Sequence, residues 1–137
     1  MSVLFQPRQF HHIPGGKTLS LKETVGKTCV AFCGIGNPKS FRKSLESIGL
    51  KIREFLAFPD HYTYQMADLH NIGIKFQESR ADMILTTEKD ATRLTSLQVG
   101  ETTGSNELYY LEIEARVTEG ESTLQDLIDS ALDRGRL

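Results

Sequence analysis

Along the chain, short apolar runs alternate with segments whose apolar residues recur every three to four positions. Thr28-Cys29-Val30-Ala31-Phe32-Cys33 is nearly continuous and ends at Gly34, the pattern of a strand buried on both faces. Phe41, Leu45 and Ile48 then fall at i, i+4 and i+7, which predicts an amphipathic helix. Asn37 suits its cap, Pro38 its first turn and Gly49 its stop. A second strand is predicted over 50–58, on Ile52, Leu56 and Phe58. Residues 64–79 read as a helix with Met66, Leu69, Ile72 and Phe76 on one face and Thr63 as its cap. Gly73 weakens that helix by about 1 kcal/mol relative to Ala.

Residues 82–86 form the next predicted strand, running into Thr87-Glu88-Lys89-Asp90. Thr87 and Asp90 have the spacing of a capping box for a short helix through Leu94. Residues 95–106 are polar, carry Gly100 and Gly104, and read as a loop. Residues 111–117 alternate strictly, as a strand with one wet face does. A last helix is predicted on Leu124, Leu127, Ile128 and Ala131, with Ser122 and Gln125 as its capping box. Ahead of all this, residues 1–27 carry Pro7, Pro14, Gly15, Gly16 and Gly26 between short apolar runs. They read as an extended N-terminal arm with a short strand near 18–21. Strands alternating with helices imply an α/β domain over 28–137. The expected fold is Rossmann-like, a three-layer α/β/α arrangement around a small, mostly parallel sheet of about four strands.

Composition changes this picture little. The 137 residues, 39% hydrophobic and 25% charged, suit one globular domain. A net charge of -2 with interspersed signs offers no field for nucleic acid. No apolar run approaches the ~20 residues needed to span a bilayer, and the first residues lack the pattern of a secretory leader. Cys29 and Cys33 on one strand would lie roughly 13 Å apart, at about 3.3 Å per residue. That is too far for a disulfide, so they read as small apolar residues in a reducing cytosol. No metal site is expected from them. Gly16-Lys17-Thr18 resembles the tail of a P-loop, but the glycine and buried strand that should precede it are absent, and a plain turn is expected.

Three loops follow strands and should gather on one sheet edge, the edge where open α/β sheets bind ligands. The first, Gly34-Ile35-Gly36-Asn37-Pro38, matches GxGxxG only in part, with Lys39 in place of the third Gly. It reads either as a strand-to-helix turn or as a place where backbone N–H groups approach a phosphate. The second is Phe58-Pro59-Asp60-His61-Tyr62-Thr63-Tyr64. Here Asp60 orients an imidazole suited to moving protons near neutral pH, or Asp60 caps the turn while His61 packs on Tyr62. The third is Thr86-Thr87-Glu88-Lys89-Asp90, in which Lys89 meets a phosphate or belongs to a solvated helix start. His11, His12 and His70 read as surface histidines.

Together, Val30-Ala31-Phe32-Cys33-Gly34-Ile35-Gly36-Asn37-Pro38 with Phe41 and Leu45, Phe58-Pro59-Asp60-His61, and Leu85-Thr86-Thr87-Glu88-Lys89-Asp90-Ala91 resemble the tetraacyldisaccharide 4'-kinases of lipid A biosynthesis. The resemblance covers roughly residues 18–132. It implies an enzyme that moves the γ-phosphoryl group of ATP, with Mg2+, onto the 4'-hydroxyl of an acylated glucosamine disaccharide 1-phosphate. The work would be done at the cytoplasmic face of the bacterial inner membrane. In that family the P-loop and the acidic residues lie in an N-terminal domain, and a second α/β domain closes over it. This chain resembles the second domain, without a P-loop, a magnesium-binding Asp segment or a membrane-facing helix upstream of Gly34. Alone it is expected not to turn over ATP, and any membrane association would come through the other half. By the resemblance, His61 supports a catalytic aspartate of the N-terminal domain, with Asp60 beside it. Gly34, Gly36, Asn37, Thr87, Glu88, Lys89 and Asp90 would line the substrate and nucleotide cleft or fix its loops. Two other readings stand beside this one: a non-catalytic binding module of the same fold, and an unrelated Rossmann-like nucleotide-binding domain.

Overall fold

The computed structural model describes residues 3–103 and 107–117. In chain order the elements are β1 (Val3–His12), β2 (Thr18–Ser20), α1 (Leu21–Thr24), β3 (Thr28–Cys33), α2 (Pro38–Ile48) and β4 (Lys51–Ala57). There follow α3 (Met66–Ser79), β5 (Met83–Thr87), α4 (Glu88–Ala91), α5 (Ser96–Thr103) and β6 (Leu108–Val117). All the strands join one sheet in the order β2-β1-β6-β5-β3-β4.

The centre of the sheet is built as the apolar runs require. Cys29, Val30, Ala31, Phe32 and Cys33 of β3 are all fully buried. Alternate residues of β3 feed different cores. Cys29, Ala31 and Cys33 meet Phe41 and Leu45 of α2, with Met83, Leu85 and Leu111. Val30 and Phe32 meet Leu69 and Ile72 of α3 and Val99 of α5, with Ile84 and Leu108. This is the three-layer arrangement, with α2 on one face and α3 and α5 on the other. The β3–β4, β3–β5 and β5–β6 pairs are parallel, so the expected four-stranded parallel unit is present.

Two strands enlarge it. β1 pairs antiparallel with both β6 and β2, making a mixed, six-stranded sheet. The N-terminal stretch is therefore not an arm: Phe10 of β1 is fully buried in the α2-side core. Its strand character is hidden in sequence because the register shifts between Pro7 and Gln9, and such a bulge breaks simple alternation. The short strand expected at 18–21 is β2.

The helices keep most of their predicted signals. Asn37 Oδ1 accepts the Ser40 N–H at 3.3 Å, and Pro38 opens α2. Gly49, at φ 108°, ends it, and the Leu50 N–H returns to the Leu45 carbonyl at 3.2 Å, a Schellman closure. α3 starts later than expected. Gln65, not Thr63, is its N-cap, and Asp68 Oδ2 accepts the Gln65 N–H at 2.8 Å. Tyr64 is left outside the helix, with its ring buried.

The stretch read as a loop contains α5. Thr95 and Gln98 cap it reciprocally: the Gln98 N–H donates to Thr95 Oγ1 at 3.2 Å and the Thr95 N–H to Gln98 Oε1 at 3.0 Å. The helix expected after residue 117 lies outside the described residues. Among the described residues no helix is long and apolar enough to cross a membrane.

Candidate functional site

The loops after β3, β4 and β5 meet at the carboxyl edge of the parallel strands, and Asp90 ties them together. Its side chain is fully buried. Oδ1 accepts the Gly34 N–H at 3.0 Å and the Tyr64 hydroxyl at 2.9 Å, while the Thr87 hydroxyl donates to Oδ2. Arg93 Nη1 reaches the same Oδ1 at 3.3 Å. One carboxylate thus holds the glycine loop, the Pro-Asp-His loop and its own helix cap. Burial, with Asp90 nearby, raises the Tyr64 hydroxyl well above its ordinary range. The same two causes push the Cys33 thiol up to about 12, and burial alone puts Cys29 at about 12. Both thiols are free and protonated at neutral pH.

The glycine loop has a structural duty. A Cβ on Gly34 would lie 3.0 Å from the Pro59 carbonyl and 3.2 Å from Tyr62 Cβ, so a side chain there would push two loops apart. The Gly34 N–H is taken by Asp90 and the Ser40 N–H by Asn37. Near Gly36, the Asp60 carboxylate lies within 3.4 Å of a Cβ position. The first amide of the loop is thus committed to Asp90, and a carboxylate stands beside Gly36. The contacts of Gly34 and Asn37 are those of a strand-to-helix turn.

His61 is presented differently. Its backbone is left-handed, at φ 61°, and its N–H donates to the Gly34 carbonyl at 3.1 Å. Its ring neither packs on Tyr62 nor hydrogen-bonds to Asp60. Tyr62 stacks on Phe58 at 4.8 Å and donates its hydroxyl to Asp68 at 2.8 Å. Asp60 Oδ2 stands 3.7 Å from His61 Nε2, with the two side chains 50% and 78% exposed. Arg93, passed over in the sequence, donates from Nη1 to the Gly34 carbonyl at 2.9 Å and brings Nη2 to 3.4 Å from His61 Nδ1. The signal for Arg93 was its i, i+3 spacing from Asp90, just past the end of α4.

Thr87, although its hydroxyl belongs to the Asp90 junction, borders a second space together with Glu88 and Lys89. They line a cleft of about 240 Å³ with Phe41, Leu111 and Ile113, on the α2 side of the sheet. No residue of the Pro-Asp-His loop lines that cleft, so the structure does not gather all the predicted residues around one cavity. His11 is no simple surface residue. Its Nε2 lies 2.6 Å from Glu112 Oε1, to which Gln9 also donates at 3.0 Å. Those bonds hold the Glu112 carboxyl below the usual range, the one from His11 foremost. His12 is half-buried against Tyr109, whereas His70 is exposed as expected.

Comparison with known proteins gives the family. The family model for tetraacyldisaccharide-1-P 4'-kinase matches residues 3–133. The chain belongs to the tetraacyldisaccharide 4'-kinase family. A tetraacyldisaccharide 4'-kinase of Syntrophus aciditrophicus is 44% identical over 95 residues, covering 69% of this chain and 25% of its own length. One from Syntrophobacter fumaroxidans is 39% identical over 87 residues, covering 64% of this chain and 23% of its own. The crystal structure of the "apo" form of LpxK from Aquifex aeolicus, in complex with ATP, superposes with a TM-score of 0.57 at 25% identity. It matches 93% of this chain and 35% of the Aquifex chain. The chain therefore spans about a quarter of the length of these curated 4'-kinases. The fold is the α/β class expected of a 4'-kinase of this family, and the N-terminal strand β1 falls inside the matched stretch.

Proposed function

We propose that this chain forms the second α/β domain of a tetraacyldisaccharide 4'-kinase, which transfers the γ-phosphate of ATP to the 4'-hydroxyl of tetraacyldisaccharide 1-phosphate. The observation that carries the reading is the family match over residues 3–133, taken with an exposed imidazole held at the carboxyl edge. A P-loop domain, in the same or another polypeptide, brings the nucleotide and Mg2+. One feature supports that division of labour: the Gly34 amide is already taken by Asp90, and the Asp60 carboxylate lies beside Gly36. The site of action is the cytoplasmic face of the inner membrane, with membrane contact through the P-loop domain.

In this reading His61 faces the cleft between the domains and supports an aspartate of the partner domain, which takes the proton of the attacking hydroxyl. Positioning and charge stabilisation dominate phosphoryl transfer, so an imidazole that orients the base acts on turnover rather than on substrate binding. Asp60 Oδ2 stands 3.7 Å from His61 Nε2, near enough to pair with the ring when it is protonated.

The test joins this chain to the part of the Syntrophus relative outside the matched stretch and follows phosphate transfer to the lipid acceptor. The 137-residue chain alone should show no turnover. In the joined enzyme His61→Ala should lower kcat by about 10²-fold or more while the melting temperature stays near that of the parent. Equal losses of folding and activity would return His61 to a structural role. Saturable lipid binding with no transfer in any joined form would favour a non-catalytic binding module.

A further inference from the structure

Arg93 divides its guanidinium between two tasks. Nη1 binds the Gly34 carbonyl at 2.9 Å and Asp90 Oδ1 at 3.3 Å, anchoring the group in the loop junction. Nη2 is left to face His61 Nδ1 at 3.4 Å. A guanidinium carries only donors and keeps its proton at any physiological pH. The imidazole nitrogen that faces it must therefore offer its lone pair. In the neutral ring the proton then sits on Nε2, the nitrogen on the Asp60 side, where the carboxylate is 3.7 Å away.

We propose that Arg93 is a positioning residue that fixes the tautomer of His61, so that this histidine meets its partner as a hydrogen-bond donor from Nε2. The Gly34 carbonyl takes both the His61 N–H and Arg93 Nη1. Backbone and ring of His61 are thus referred to the same point. A donor at Nε2 is suited to a carboxylate arriving from another domain, whose second oxygen is left to accept a proton from a hydroxyl. The assignment excludes the opposite role, in which a bare Nε2 itself takes the substrate proton. The use of this donor in phosphoryl transfer rests on the function proposed above, whereas the tautomer does not.

The tautomer is read directly by nitrogen-15 NMR of the imidazole in the full 137-residue chain, at a pH where His61 is neutral. The wild-type chain should show one form, with Nδ1 bare and Nε2 protonated. Arg93→Met should give a mixture of the two tautomers. Arg93→Lys keeps a cation for Gly34 and Asp90 but has no second nitrogen for the ring. It should fold and still give the mixture, so a misfolded Met variant leaves the question decidable. A protonated Nδ1 in the wild-type chain, or a single Nε2–H form in Arg93→Lys, would overturn the assignment. In the joined two-domain enzyme, Arg93→Lys should lower kcat roughly tenfold with KM unchanged, the scale met when the partner orienting a ligating histidine is lost. If the joined enzyme never transfers phosphate while the tautomer result holds, the functional reading fails and the positioning of His61 stands.

Discussion

Asp90 shows how one residue sets the geometry of the edge. It accepts from the Gly34 amide and from the hydroxyls of Tyr64 and Thr87, and pairs with Arg93. Replacing it by Ala strips four donors of their acceptor, three in buried contacts and the fourth from the partly exposed Arg93. Breaking a buried charged pair by removing one partner costs about 3–5 kcal/mol, and urea unfolding of Asp90→Ala should show a loss of that order. Asp90→Asn keeps one acceptor oxygen and should lose less. A loss below about 1 kcal/mol, the net value of one ordinary hydrogen bond, would mean that the loops hold each other without it. The Thr-Glu-Lys-Asp stretch is therefore first a clamp. Its sequence suggested a cap from Thr87 and Asp90, and the cap exists. That the same carboxylate reaches across to two other loops depends on tertiary contacts separated by 56 and 26 positions, which no local pattern encodes.

At the scale of elements, legibility followed the strength of the local signal. β3, α2 and the parallel core were readable because continuous burial, helical spacing and a cap-to-stop pair all agree there. The start of α3 was misplaced because Tyr64 looks like a helical residue in sequence but is drawn inward by its bond to Asp90. α5 is obscured in sequence by Gly100 and the surrounding polar residues, although Thr95-Ser96-Leu97-Gln98 is itself a capping-box pattern. That cap now has a measurable role. Thr95→Ala should destabilise the domain by about 1 kcal/mol, seen as a lower urea midpoint with an unchanged slope. An unchanged midpoint would show that Val99, buried against the α3-side core, holds α5 without its cap. At the site, the Asp60-His61 pair was visible as candidate residues at a strand end. Arg93 was not, since its two partners lie 59 and 32 positions away.

For the whole molecule, the main lesson is the mixed sheet. The antiparallel pairing of β1 with β6 runs from Val3 opposite Val117 to His12 opposite Tyr109, joining the two ends of the described chain. β6 is thus covered on one side by β5 and on the other by β1. Removing residues 1–12 would bare the edge of β6 and take Phe10 from the core. Such a deletion should abolish the cooperative thermal transition and leave aggregating material on size exclusion, as an uncovered edge strand predicts. A truncated chain that melts cooperatively would restore the reading of this stretch as a dispensable arm.

The left-handed backbone of His61 adds a last consequence. Ordinary side chains pay roughly 1–2 kcal/mol to occupy that region, and glycine does not. At φ 61°, the proposed role of His61 would make the best residue for folding and the best residue for turnover differ. His61→Gly and His61→Ala both lose the imidazole and should be equally slow in the joined enzyme. The glycine variant should nevertheless be the more stable of the two, by on the order of 1 kcal/mol. A random search for thermostable variants of the joined enzyme would then tend to find glycine at this position, at the expense of the turnover proposed for His61.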